Sequence, residues 1–128
     1  MKAICTYCSA NKVRNAGLLP AVRRYVSGRI DRLHKSAEQQ GLHFCILSGE
    51  YGFIDGDYPL PWYDHLLVSN EIPRLIEVVQ QQLQEKNITE VDYYTVSPDI
   101  DPNVISYLEV IEKGCASAGI LFQKHILS

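Results

Sequence analysis

Apolar residues recur along the 128-residue chain in two rhythms that take turns. Short apolar runs at Lys2 to Tyr7, His43 to Leu47, Val91 to Val96 and Ile120 to Leu127 have the length and side-chain types of buried strands. Between them the apolar positions adopt helical spacing. From Pro20 to Gln40, Val22, Val26, Ile30, Leu33 and Ala37 share one face, with Pro20 suited to a first turn and Gly41 to a stop. Ser69 is placed to cap a second helix that turns Ile72, Leu75, Ile76, Val79 and Leu83 inward and ends near Asn87. A third opens at Asp101 and Pro102, faces Val104, Ile105, Leu108 and Ile111 inward, and stops near Gly114 or Gly119.

Strands separated by helices of this length pair in parallel through right-handed crossovers. The expected fold is therefore α/β: one domain over residues 1–128, three layers, with a mostly parallel four-stranded sheet flanked by helices. In such a sheet every segment that leaves a strand emerges at one edge, where ligands usually bind. Three connections should meet there: "CSANK" after the first strand, "LSGEYGFIDGDYPLPWYDHLL" after the second and "SPDIDP" after the third.

The second connection is unusual. Irregular links beyond about 12–15 residues are uncommon in compact domains unless they bind, cover a site or are disordered. Tyr51, Phe53, Tyr58, Trp62 and Tyr63 make it too apolar for a solvated tether, and Pro59 and Pro61 stiffen it. It should be an ordered pocket wall or a loop that plugs a sheet end with rings. Gly49 and Gly52 permit tight turns or close approach of a ligand to the backbone. Tyr63 and Asp64 form the candidate catalytic pair: a ring to stack on a base or sugar, and a carboxylate to accept a ribose hydroxyl or act as general base. Glu50, Asp57 and His65 are lesser candidates. In "CSANK", Ser9 and Lys12 offer a hydroxyl and an ammonium suited to a phosphate, while Ser48 and the backbone at Gly49 would complete an anion cradle beside Tyr51 and Gly52.

Charge changes this picture only locally. The chain carries −3 overall, yet residues 1–35 hold eight basic side chains against one acid (+7), and the remainder holds four against fourteen (−10). Bulk electrostatics therefore do not suit a protein that coats nucleic acid. A DNA- or protein-binding face built from Arg23, Arg24, Arg32 and Lys35 is the competing reading. No apolar run is long enough to cross a bilayer, and "MKAICTYCSANK" turns polar too soon for a signal peptide, so a cytoplasmic protein with reduced thiols is expected. The spacing of Cys5 and Cys8 admits a third reading, a redox dithiol or a zinc site completed by His43 and Cys45. The expected cofactor set is nonetheless empty, with no resident metal.

The motifs also carry a resemblance. "CSANK", "LSGEYGF" and "LPWYDHLL", taken in order, resemble a family of small bacterial and phage domains without an assigned activity. Its members share Cys-Ser-x-x-Lys, Leu-Ser-x-x-Tyr-Gly-Leu and Pro-Tyr-Asp. More distantly, the chain is similar to the YaaA peroxide-stress family, whose members are linked to DNA binding and oxidative stress. The resemblance covers positions between Cys5 and Leu67. It marks Cys5 or Cys8, Ser9, Lys12, Ser48, Tyr51, Gly52, Tyr63 and Asp64. The chain departs from both patterns: Glu50 stands where the small domains carry Lys, Trp62 precedes the tyrosine, and Asp64 replaces the YaaA arginine. Together these readings lead to recognition of a nucleotide, nucleoside or exposed nucleic-acid base, with glycosidic-bond chemistry as the first reaction to test.

Overall fold

The computed structural model describes residues 1–127. In chain order the elements are β1 (Lys2–Tyr7), β2 (Leu19–Pro20), α1 (Ala21–Arg24), α2 (Gly28–Gln40), β3 (His43–Ser48), β4 (Gly52–Asp55), β5 (Pro59–Leu60), a 3-10 turn (Ser69–Glu71), α3 (Ile72–Glu85), β6 (Glu90–Val96), α4 (Val104–Ala118) and β7 (Leu121–Leu127). The main sheet has five strands in the order β4-β3-β1-β6-β7, and only β4 runs antiparallel. The sequence pattern predicts four strands. The fifth lies inside the long connection, where Gly52–Asp55 folds back on β3 and pairs Cys45 with Asp55 and Leu47 with Phe53. A second, two-stranded antiparallel sheet joins β2 to β5.

Strand alternation sorts the core into two layers. On one face Ala3, Cys5, Cys45, Leu47, Phe53, Val91 and Tyr93 pack against Leu75, Val79 and Leu83 of α3 and Val110, Ile111 and Cys115 of α4. On the other face Ile4, Phe44, Ile46 and Ile54 meet Ile30 and Ala37 of α2, with Tyr25 and Tyr63. Helices α3 and α4 approach closely at Gly114, where a Cβ would lie 2.8 Å from Val79 Cγ1. That contact explains why Gly114 sits inside α4; the helix stops at Gly119, whose φ is +71°.

Three helix expectations are corrected. Pro20 to Gln40 is not one helix: α1 ends after one turn, Tyr25 is extended, and Ser27 restarts the helix by accepting the Ile30 N–H at 3.2 Å. The break arises because this backbone is used elsewhere. Val13 N–H donates to Arg24 O and Val26 N–H to Asn11 O, each at 2.8 Å, tying residues 24–26 to residues 11–13. Val26, expected inward, is 56% exposed as a result. In α4 Val104, Tyr107, Val110, Ile111 and Cys115 are buried and Leu108 packs partly buried against them, whereas Ile105, expected inward, faces solvent. Ser69 is likewise not the cap of α3: its place is taken by a 3-10 turn in which Glu71 Oε1 accepts the Val68 N–H at 3.1 Å and pairs with His65. Among the described residues, no helix is long and apolar enough to cross a membrane.

Candidate functional site

Because β1, β3 and β6 are parallel, the connections that leave their ends converge at the carboxyl edge of the sheet. Residues 8–12 and 64–66, with Asp101, Asn103 and Val104, line an open cavity of about 280 Å³ there, together with Tyr7, Arg29 and Tyr107. Ser9, Lys12 and Asp64 border it, as do the lesser candidate His65 and Cys8, so these sequence-derived candidates meet as expected from the topology. A second depression of about 220 Å³ shares Asn11, Lys12 and Asp64 with the first and adds Arg14, Trp62 and Tyr63.

Arg29 is the residue that motif reasoning passes over. It sits in the first turn of α2, where the helix dipole disfavours a cation, and burial pushes its guanidinium pKa down. Its stacking partner is the Tyr7 ring, 3.6 Å from the guanidinium carbon. Nη1 donates to Thr6 Oγ1 and Tyr7 O at 2.6 Å each, and Nη2 donates to Cys8 O at 3.2 Å. All three acceptors are uncharged. Among the described residues, Lys12, Arg29, Asp64 and Asp101 take part in no ion pair. Arg29 is thus a half-buried cation oriented by neutral acceptors, with no carboxylate in ion-pair contact among the described residues and Asp101 on the same cavity. The signal that could have found it is Ser27: a cap at that position starts a crossover helix at the carboxyl edge and puts Arg29 beside the β1 end.

Tyr63 has a different task from the one expected of a free stacking ring. Its hydroxyl is buried, 2.6 Å from Tyr25 Oη and 2.9 Å from Ser48 Oγ, and burial pushes both tyrosine pKa values well up. It therefore stays protonated and fixes the wall. Its ring carries Lys12, whose Nζ lies 4.4 Å from the ring centroid, a cation–π contact that sets the ammonium at the rim. Ser48 also accepts the N–H groups of Glu50 (3.1 Å) and Tyr51 (3.0 Å), which makes it the hub of the turn into β4. Gly49 packs under Tyr107 and Leu67. Tyr51 stacks edge-on against Tyr63 at 5.3 Å, and Gly52, at φ +80°, adopts a backbone conformation that strains any L side chain and lies against the Gln82 amide. Ser48, Gly49, Tyr51 and Gly52 thus stand behind the cavity and shape it, while Ser9, Lys12 and Asp64 face it.

The other candidates separate clearly. His65 is held by Glu71 at 2.8 Å, with Glu50 at 3.8 Å from its second nitrogen. Arg24, counted in the basic face, is fully buried and donates to the carbonyls of Leu60, Val13, Asn15 and Gly17, so it is removed from any DNA-contacting surface; Arg23, Arg32 and Lys35 keep solvent access. The four zinc candidates do not converge. Cys8 borders the cavity 3.8 Å from Tyr107 Oη, whereas His43 and Cys45 gather with Asp55 on the β3–β4 pair. No protein-family model matches the chain, and no curated protein or solved structure matches it.

Proposed function

We propose that the chain binds a nucleoside or nucleoside monophosphate at the carboxyl edge of its sheet. The observation that carries this reading is Arg29, desolvated, pre-oriented and without a carboxylate partner among the described residues, on a cavity that also presents Lys12, Ser9 and two carboxylates. Arg29 and Lys12 take the phosphate. Asp64, Asp101 and Asn103 supply acceptors and an amide for sugar hydroxyls and base edges, and the neighbouring depression offers the Trp62 ring. About 280 Å³ sits at the small end of ligand pockets, which favours a mononucleotide-sized molecule over a dinucleotide. The relation to the small phage domains and to YaaA belongs to the same proposal: of the motif residues, Cys8, Ser9, Lys12 and Asp64 border the cavity. If a reaction follows binding, Asp64 is the carboxylate that would take a proton from the water attacking the glycosidic carbon, as the bond to the base breaks and the base leaves protonated by solvent; Asp101 lines the same cavity.

Calorimetric titration with nucleosides, nucleoside monophosphates, inorganic phosphate and a short single-stranded oligonucleotide tests this. The expected result is saturable binding of a monophosphate, weakened tenfold or more by Arg29→Ala and by Lys12→Ala. Binding of none of these ligands, or binding untouched by Arg29→Ala, overturns the reading. A nucleoside-release assay with Asp64→Asn decides whether chemistry accompanies binding.

A further inference from the structure

On the rigid β3–β4 pair, away from the ligand cavity, His43 and Cys45 project from one face of β3 two residues apart, and Asp55 is the cross-strand partner of Cys45. Their donor atoms lie within 4.8 Å of one another. Both approach the same carboxylate oxygen: His43 Nε2 is 2.8 Å and Cys45 Sγ 3.7 Å from Asp55 Oδ1. Lys86, at the end of α3, pairs with the other oxygen, Oδ2, at 3.3 Å. From this arrangement we propose that His43, Cys45 and Asp55 form a binding site for a zinc-class divalent cation.

Three features support it. The donor set of a thiolate, an imidazole and a carboxylate is one that zinc accepts and that magnesium or calcium does not favour. Tetrahedral zinc, with bonds of about 2.0–2.3 Å, separates its ligand atoms by roughly 3.3–3.7 Å, so the cluster needs only side-chain adjustment on a fixed backbone. The His43 and Asp55 side chains are each 35% exposed, which opens a path for a small ion and a water for its fourth position, although Cys45 itself is buried beneath them and closed to bulkier reagents.

Binding is proton-balanced. The Cys45 thiol loses its proton to solvent as the sulfur–metal bond forms, and the imidazole moves its one proton to Nδ1 so that Nε2 can donate its lone pair. One proton is released per ion. The metal would clip the antiparallel edge strand β4 to β3.

Cobalt(II) titration of the full chain, stripped of metal and held reduced by a phosphine, tests the proposal. The expected result is a thiolate-to-cobalt charge-transfer band saturating at one equivalent, displaced by zinc and absent in Cys45→Ser. His43→Gln and Asp55→Asn, both at partly exposed positions, should weaken zinc binding tenfold or more, while Lys86→Ala should leave it intact. No band in the native chain, a band that survives Cys45→Ser, or native zinc affinity in His43→Gln and Asp55→Asn overturns it. These readouts are independent of nucleotide binding, so the two proposals fail separately.

Discussion

Arg24→Met is the sharpest probe of how this fold is held together. Arg24 is 0% exposed, and its guanidinium is satisfied by main chain alone: Nε donates to Leu60 O at 3.1 Å, Nη1 to Val13 O at 2.7 Å and Asn15 O at 3.1 Å, and Nη2 to Gly17 O at 2.8 Å. Among the described residues, no carboxylate pairs with it. Methionine keeps most of the stem volume, so packing changes little and the hydrogen bonds are the variable. Four charge-assisted bonds at about 1.5–3 kcal/mol each give roughly 6–12 kcal/mol gross. Against that stands the relief of no longer burying a cation, several kcal/mol. Three of the four acceptors lie in residues 13–17 and can turn to water, whereas Leu60 O stays buried. The net expected loss is about 3–5 kcal/mol, a large share of the roughly 5–15 kcal/mol that holds a domain folded. Urea unfolding monitored by far-ultraviolet circular dichroism measures it, and limited proteolysis should cut the variant between residues 13 and 18. A loss under about 1 kcal/mol with that loop still resistant would refute the idea that a buried cation organises the loop.

Two further substitutions and a labelling experiment test the packing and the cavity. Gly114→Ala, a gain of up to about 1 kcal/mol in an open helix, should instead destabilise by roughly 1–2 kcal/mol, because the new methyl meets Val79 Cγ1 at 2.8 Å. Adding Val79→Ala should recover part of that loss, and a Gly114→Ala chain that melts higher than native contradicts the α3–α4 spacing. At pH 8 a water-soluble disulfide reagent should modify Cys8 alone. Burial pushes the Cys5 and Cys45 thiols well up and Cys115 up to about 12, and all three lie in the core. A folded Cys8→Ser chain that still reacts rapidly removes the support for that accessibility pattern.

Much of the architecture is local, and what is local was readable. Strand runs such as Lys2–Tyr7, the helical apolar spacing of Ile72–Glu85 and the stops at Gly41 and Gly119 follow from backbone sterics and from the period at which apolar residues recur, both carried by residues close in sequence. The order of those elements in turn implied parallel pairing and a carboxyl edge where Ser9, Lys12 and Asp64 meet. Tertiary structure decided the rest. Gly52–Asp55 becomes a strand because β3 has an open edge to pair with, and Pro20–Gln40 breaks because residues 11–13 claim its backbone. Arg24 and Arg29 stand five positions apart in one basic run. Folding turns the first onto four carbonyls and the second onto a cavity, since a side chain's role is set by the groups that distant segments bring opposite it, and sequence spacing does not encode those partners.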